Sequence, residues 1–465
     1  MNGPIIFITS SYVHHHYLDD NKGGEAAFVA LVTILRDTIS DAEIITNIQL
    51  QNTAWADTID LKRLKTKVFS IKHHSFCTTI SSSVDLIRAY TWWLAKSYLK
   101  TDVQSLINNR KLKAYASADI ILYLVMDNLV DGFGTTDIIE HCKDMLLGIL
   151  LKRKTLIYAA SMGPILNKPM SWLVKKTLQK LTAISARETR TIEWLETMEI
   201  NRQPIYLIAD PAILLEAKDE TANNAGAAST IMKSRTYKIG LVIPDKFHWT
   251  DNNGLKKYSL PRRLFKITEF FLPEALVLKI TQLLKRHDIY QVANKFDEPL
   301  VVDMVKLIDY LTSEFEADVL LMTHVDESSY FSDPREDVKA IYSRVKEAPM
   351  VHVIPSSCSA AEHKFIIGEC AMIISGKMHA SIAALSQSIP VIAIPYGTKF
   401  TGMMELYKQE KYICRRKNID ELIEMVKEVW NKKASICAEL NEIAPDVEKQ
   451  AFFGATVIKK IIDDE

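Results

Sequence analysis

The feature that most constrains this chain is a rhythm: short continuous apolar runs alternate with longer stretches of helical periodicity. The run Ile120-Ile121-Leu122-Tyr123-Leu124-Val125 shows no polar alternation, the pattern of a strand covered on both faces. Comparable runs predict strands at Ile5–Thr9, Ile44–Ile48, Asp119–Val125, Thr155–Ala160, Ala183–Ala186 and Tyr206–Ala209. Between them the spacing predicts helices at Gly24–Thr38, Val84–Tyr98, Thr136–Leu151 and Thr189–Thr197. Strands separated by helical segments form parallel α/β units, and the ordinary apolar and charged content excludes a collagen, a disordered tail and a coiled coil.

The rhythm occurs twice. A small, polar, aperiodic stretch from Lys218 to Ser229 interrupts it and reads as a linker. It resumes at Lys238-Ile239-Gly240-Leu241-Val242-Ile243, with further strands near Val319–Thr323, Val351–Ile354, Met372–Ser375 and Val391–Pro395. Residues 248–300 mix basic and aromatic side chains and read as an insertion or helical elaboration. The expected organisation is a first Rossmann-like domain over 1–217, a linker over 218–236 and a second Rossmann-like domain over 237–430. Residues 431–465 are expected to form C-terminal helices that cross back to the first domain. Helical patterns at Asn418–Ile443 and Val447–Ile462 would be split by Pro445. Open parallel sheets bind ligands beyond the carboxyl ends of their strands. The fold class is therefore α/β, with two Rossmann-like domains facing a cleft, a GT-B-like architecture.

Composition narrows the function. Lys plus Arg and Asp plus Glu both number 57, so the formal net charge is zero, unlike the basic footprint of a nucleic-acid binder. The first apolar run follows no basic stretch and leads into no long apolar core, unlike a signal peptide. The longest apolar runs, Ile120–Met126 and Met145–Leu151, fall far short of the ~20 residues that span a bilayer. Six scattered cysteines (Cys77, Cys142, Cys358, Cys370, Cys414, Cys437) contain no C-x-x-C pair, which suits a reducing compartment. The expected location is the cytoplasm, with peripheral association at the inner face of the membrane.

Several strand ends carry chemistry. In Ile373-Ile374-Ser375-Gly376-Lys377-Met378-His379-Ala380, an apolar strand gives way to a helix start bearing a cation and an imidazole. Free backbone N–H groups and the helix dipole favour an anion there, and histidine as a residue type changes charge near neutrality. The same spacing also fits a solvated lysine and a histidine bonded to its neighbour. Arg187, in Ala183-Ile184-Ser185-Ala186-Arg187-Glu188, sits at a matching strand end, where it fits either a bidentate anion grip or a helix cap with an intrahelical ion pair. Ser161-Met162-Gly163-Pro164 is a turn that permits close backbone approach. His324 ends a second-domain strand and fits either the same cleft or a structural cap. Lys22-Gly23-Gly24-Glu25 offers glycines before a helix, without a G-x-G-x-x-G fingerprint. His14-His15-His16 point in different directions, and no H-E-x-x-H or clustered carboxylates occur, so no protein-held metal is expected.

Taken in order, these segments resemble the polysaccharide pyruvyl transferase family. Gly23-Gly24-Glu25-Ala26 is similar to its N-x-G-D/E-x-A segment. Ala118-Asp119-Ile120-Ile121, with Asp127-Asn128 and Asp131-Gly132-Phe133-Gly134, resembles its A-D strand and G-D-x-x-S-D-x-Y-G region. Ser161-Met162-Gly163-Pro164, Ile184-Ser185-Ala186-Arg187-Glu188 and Ala209-Asp210-Pro211-Ala212 are similar to its S-x-G-P, I-S-x-R-D/E and A-D-P-A/S motifs. In the second half, His324-Val325, Ser359 to Cys370, Lys377-Met378-His379-Ala380, and Pro390 through Tyr396 to Lys399 match in the same order.

The resemblance implies a GT-B-like fold and transfer of the enolpyruvyl or pyruvate unit of phosphoenolpyruvate to a sugar hydroxyl. The product would commonly be a ketal, made during polysaccharide, exopolysaccharide or cell-envelope glycan synthesis. It implies no cofactor beyond phosphoenolpyruvate as co-substrate, no metal, and a glycan or lipid-linked sugar as partner. Carried over by position, Arg187 and Lys377 would bind the donor's phosphate and carboxylate. Met378 would offer a backbone N–H, and His379 would act as anion ligand or acid/base. Glu362, Lys399, Gly24 and Ser161 would line the substrates. His324, Asp131 and Glu362 are candidates for the base that takes the sugar's hydroxyl proton. Two positions depart from the pattern: Lys377 replaces an arginine, and Leu124-Val125-Met126-Asp127 lacks a glycine before the acid. Two other readings stand beside this one. One is a GT-B glycosyltransferase using a nucleotide sugar, with Glu405 as the ribose-binding acid. The other is a non-catalytic sugar-phosphate-binding member.

Overall fold

The computed structural model describes residues 3–9, 21–47, 67–68, 75–126, 129–131, 135–219, 236–244, 298–324, 334–354, 358–395, 398–415 and 418–464. The linker expected at 218–236 and the elaboration at 248–300 fall almost wholly outside them, as do His14-His15-His16, Asp127, Asn128, Gly132-Phe133-Gly134, Val325 and Tyr396.

The chain builds two parallel sheets. The first comprises β1 (Ile5–Thr9), β2 (Glu43–Thr46), β3 (Lys67–Val68), β4 (Ile120–Tyr123), β5 (Lys154–Ala160), β6 (Ala183–Ala186) and β7 (Ile205–Leu207), in the order β3-β2-β1-β4-β5-β6-β7. The second comprises β8 (Lys238–Val242), β9 (Asp318–Met322), β10 (Val351–Val353), β11 (Met372–Ser375) and β12 (Val391–Ala393), in the order β10-β9-β8-β11-β12. Both orders reverse direction beside their first strand, creating a crevice at the carboxyl edge. Most strands lie within a residue or two of the apolar runs. The pair Lys67–Val68 is too short to register as a period.

The covering helices are α1 (Lys22–Thr38), α2 (Ser75–Tyr98), α3 (Arg110–Ser117), α4 (Thr135–Leu150), α5 (Lys168–Leu178) and α6 (Thr189–Thr197) in the first half. The second half adds α7 (Glu298–Phe315), α8 (Pro334–Tyr342), α9 (Ala360–Gly368), α10 (Met378–Leu385), α11 (Thr398–Leu406) and α12 (Ile419–Asp463). Asn21 caps α1 by accepting from Gly23 N at 3.0 Å, and Ser359 caps α9 by accepting from Glu362 N at 3.0 Å.

The expected break at Pro445 is corrected: α12 runs unbroken for 45 residues through that proline. Its buried positions, Leu440, Ala444, Val447 and Ala451, keep the three-and-four spacing across it. Pro445 and Asn441 both face solvent, so the carbonyl that loses its partner is left on the water side.

Helix α12 touches both halves. Leu422, Val426, Val429, Ile436 and Leu440 join the core around the second sheet, whereas Ala455, Ile458 and Ile461 pack with Tyr158 and Ile208 of the first. Lys154 Nζ donates to the carbonyls of Ile461 (2.8 Å) and Ile462 (3.2 Å), capping the helix end with a cation. Gly454 permits the approach: a Cβ there would lie 2.3 Å from Tyr158 Oη. Gly454→Leu should therefore push the helix off the sheet at a cost of about 1–3 kcal/mol. A lower thermal midpoint is expected by scanning calorimetry; an unchanged midpoint would show that this contact is dispensable.

Candidate functional site

The site is assembled from strand ends of both sheets. Ser161 follows β5, Arg187 follows β6 and Asp210 lies beyond β7, just before the short Pro211–Leu214 turn. From the second sheet come His324 after β9 and the Lys377–His379 segment after β11, with Lys399 in the first turn of α11. A pocket between the halves is lined by Arg187, Glu188, Asp210, Met378, Lys399 and Tyr407, among others.

Arg187 is buried, and besides an ion pair with its neighbour Glu188 at 3.7 Å it bonds to residues from two other strand ends. Its Nη1 donates to Asp210 Oδ2 at 2.6 Å and its Nε donates to Ser161 Oγ at 2.6 Å. Ser161 Oγ in turn donates to Glu188 Oε2 at 2.8 Å, and the Thr191 hydroxyl donates to Glu188 Oε1. Arg187 Nη2 is buried with no hydrogen-bond partner. Glu188 is held in place by close packing, since a Cβ on Gly402 of α11 would lie 2.5 Å from its Cγ.

Asp210 links the halves. Besides Arg187, its Oδ2 lies 3.5 Å from His379 Nε2, and its Oδ1 accepts from Ala212 N at 3.0 Å. Burial opposes ionisation of Asp210. The hydrogen bond and charge of His379, the charge of Arg187 and the Ala212 N–H outweigh it and hold the carboxyl well below the usual carboxylate range. For Glu188, burial wins over Arg187 and the two hydroxyls, and its carboxyl is pushed up.

His379 is pressed against α1: a Cβ on Gly23 would sit 2.2 Å from its Nδ1. Glycine is required there for the approach of a protein ring. Gly24, the neighbour singled out from sequence, is buried within the same helix turn. Across from His379, the His324 ring lies parallel at 6.2 Å between centroids, and His363 lies edge-on to His324 at 5.4 Å. Burial, then the charges of His363, His379, Lys377 and Lys22, push His324 well below the usual histidine range. Burial, with Lys22, takes His363 down to about 4. Both ring nitrogens of His324 are buried without a hydrogen-bond partner.

Lys377 is the N-cap residue of α10, with no side-chain cap bond, and Ser375 Oγ accepts from its backbone N–H at 3.1 Å. Met378 is buried in the first turn. Burial pushes the Lys399 ammonium down to about 7. Glu362 is buried in the first turn of α9, beside the point where Glu25 Oε1 accepts from Ala360 N at 2.8 Å. Asp131 is exposed, and its carboxylate accepts from Leu166 N at 2.5 Å, which occupies it with the turn after β5. Glu405 forms a two-pronged pair with Arg190 of α6, at 2.6 and 3.2 Å, and so serves as a tie between halves. Among the described residues, no group of His, Cys, Asp and Glu is placed to hold a metal ion, and no helix is long and apolar enough to cross a membrane.

Sequence reasoning brought Arg187, Lys377, His379 and His324 to notice but assigned no role to Asp210, Glu188 or His363. Asp210 lay inside the quoted A-D-P-A segment. The signal that was missed is an acid at a strand end matching those of Ser161 and Arg187. His363, in mid-helix, carries no local signal.

The buried histidines predict a pH effect. Unfolded, His363 would bind its proton near pH 6.5; folded, near 4. The unfolded chain thus holds more protons in that window, and stability falls as pH drops through it, by about 3 kcal/mol in all. Guanidinium midpoints measured between neutral pH and pH 4 should decline more steeply for the native chain than for His363→Gln. Parallel curves would assign the acid sensitivity elsewhere.

The chain matches the model of the polysaccharide pyruvyl transferase family over residues 21–398. No curated protein matches it in sequence. Solved structures similar in fold include the UDP-GlcNAc 2-epimerase from Neisseria meningitidis bound to UDP-GlcNAc, at 11% identity over 99% of this chain and 100% of that one, with a TM-score of 0.59. A putative UDP-N-acetylglucosamine 2-epimerase from Listeria monocytogenes shows 12% identity over 99% and 96%, with a TM-score of 0.57. The UDP-GlcNAc 2-epimerase from Methanocaldococcus jannaschii shows 11% identity over 92% and 93%, with a TM-score of 0.52. At these identities the likeness is one of fold, the GT-B arrangement of two Rossmann-like sheets.

Proposed function

Because this chain belongs to the polysaccharide pyruvyl transferase family, a family of transferases, we propose that it transfers the pyruvate unit of phosphoenolpyruvate to hydroxyls of a sugar in glycan assembly. The observation that carries the reading is the convergence of Arg187, Asp210 and His379 across the two halves, with an unpartnered guanidinium nitrogen at the pocket. Phosphoenolpyruvate is a small polyanion, and a pocket lined by Arg187 and Lys399 offers it two cations. In this reading, Arg187 Nη2, Lys377 and Lys399 take its phosphate and carboxylate, with backbone N–H groups at the start of α10.

The reaction then divides between two imidazoles. His379, in protonated form and steadied by Asp210, gives its proton to C3 of the donor, which makes C2 electrophilic. A sugar hydroxyl adds to C2 and loses its proton by way of His324; burial opposes a charged His324, so the proton passes on and restores His379. The C2–O bond to phosphate breaks with cationic support from the pocket. A second hydroxyl closes the ketal, and its proton leaves with the phosphate. The acceptor is a free or lipid-linked glycan, and the chemistry needs no metal or nucleotide.

The test is phosphate release from phosphoenolpyruvate, with mass gain on a panel of nitrophenyl-sugar and lipid-linked acceptors. Release with one acceptor is expected. No release with any acceptor, together with thermal stabilisation by a nucleotide sugar, would overturn the reading in favour of a glycosyltransferase. His379→Ala and Lys377→Ala should each lower turnover by about 10²–10⁴-fold with the thermal midpoint retained; full activity in both would place the chemistry elsewhere. Asp210→Asn should lower turnover with less effect on KM.

The cation on Lys399 yields a pH prediction. Its ammonium is charged below about 7 and neutral above, so kcat/KM for phosphoenolpyruvate should fall as pH rises through that value. Lys399→Arg, which stays charged, should move that limb to higher pH. An identical profile in the variant would remove Lys399 from donor binding.

A further inference from the structure

Tyr407 lines the pocket between the halves and has no part in the chemistry described above. It directly follows α11, where two backbone bonds close the helix: Gln409 N donates to the Met404 carbonyl at 2.9 Å, and Lys408 N donates to that of Glu405 at 3.0 Å. Lys408 lies in the left-handed region, at φ 55°. This is a Schellman closure, and it holds Tyr407 at the cap position. Two residues earlier, Glu405 is tied to Arg190 of the first half. The Tyr407 ring is fully buried. Its hydroxyl, like Arg187 Nη2, finds no hydrogen-bond partner among the described residues.

A buried hydroxyl without a partner costs stability, so its presence calls for a reason outside the fold. The acids of the pocket are already accepting from the protein. Asp210 Oδ2 accepts from Arg187 and its Oδ1 from Ala212 N, while Glu188 accepts from Ser161 and Thr191. What the pocket offers a ligand is therefore donors: Arg187 Nη2, the Tyr407 hydroxyl and the Lys399 ammonium. Burial, then the charges of Glu448 and Asp210, push the Tyr407 phenol up, so it keeps its proton. The remaining wall is apolar, with Ile213, Ile382, Met403 and Leu406. Donors beside an apolar wall match a carboxylate on a carbon skeleton, which brings two acceptor oxygens and one charge. A phosphate, more highly charged, suits the start of α10, where backbone N–H groups and Lys377 stand.

We propose that the Tyr407 hydroxyl and Arg187 Nη2 together hold the carboxylate of the donor, and that Tyr407 thereby selects a phosphate ester that also carries a carboxylate. The assignment rests on the transferase reading of the cleft and divides the donor's two anionic groups between its two ends. A site built to hydrogen-bond a substrate group rejects molecules that lack it, because its own buried polar groups are then left unmatched.

The experiment is isothermal titration of the full chain and of Tyr407→Phe with phosphoenolpyruvate and with inorganic phosphate, which has no carboxylate. The variant should bind phosphoenolpyruvate at least about tenfold more weakly and inorganic phosphate as the native chain does. Without ligand, its thermal midpoint should stay the same or rise, because the substitution removes only a buried hydroxyl that has no partner. A tyrosine kept for the fold alone would show the reverse, a lower midpoint with affinity retained. Equal affinity for phosphoenolpyruvate, an equal loss for inorganic phosphate, or a lowered midpoint would overturn the assignment and leave the transferase reading in place. A native chain that does not bind phosphoenolpyruvate would overturn that reading, and the assignment with it.

Discussion

The buried pair of Arg187 and Asp210 is the constraint around which the rest of the site is arranged. A guanidinium removed from water needs partners, and this one meets Asp210 on one side and Ser161 on another while its Nη2 stays unpartnered. Glu188 then fixes Ser161, and Thr191 fixes Glu188. His379 comes from the other sheet and places its Nε2 3.5 Å from Asp210 Oδ2. Burying such a pair contributes little net stability, while removing one partner would cost about 3–5 kcal/mol. An arrangement that is costly to break and of small benefit to the fold suits a site whose charges must be held ready for a ligand.

The parallel sheets were legible because strands buried on both faces leave continuous apolar runs, and Ile120 to Val125 or Ile373 to Ser375 leave no competing reading. The strand-end positions of Arg187, Lys377 and His379 were legible for the same reason: strand and helix patterns locate the junction between them. What joins those residues was not. Asp210 is separated from Arg187 by 23 positions and from His379 by far more, and no local spacing encodes a bond made only after both sheets have folded. The same holds for Gly23, whose lack of a side chain reads as room for a ligand but serves the ring of His379.

The halves meet through more than the site. The first turn of α1 is inserted into the second half, where Lys22 N donates to the carbonyl of His324 at 3.2 Å and Glu25 accepts from the start of α9. Lys364 returns the contact by donating to the Ile213 carbonyl at 2.8 Å. Positions Ala26, Ala27 and Ala30 of α1 share one apolar cluster with the second sheet. Small side chains on that face let the backbone of one half lie against the other, which brings imidazoles and carboxylate within a few ångströms.

Helix α12 imposes an order on how the molecule comes into being. Ala455, Val457, Ile458 and Ile461 complete the apolar cluster that holds Ile6, Ile8 and Phe28, residues made hundreds of positions earlier. During synthesis, at roughly 5–20 residues per second, the first sheet emerges with α1 on that face, and the share of the cluster that α12 supplies stays open until its last turns arrive. The half that is made first is thus completed late, and a chain cut short within α12 has opening strands that lack part of their core.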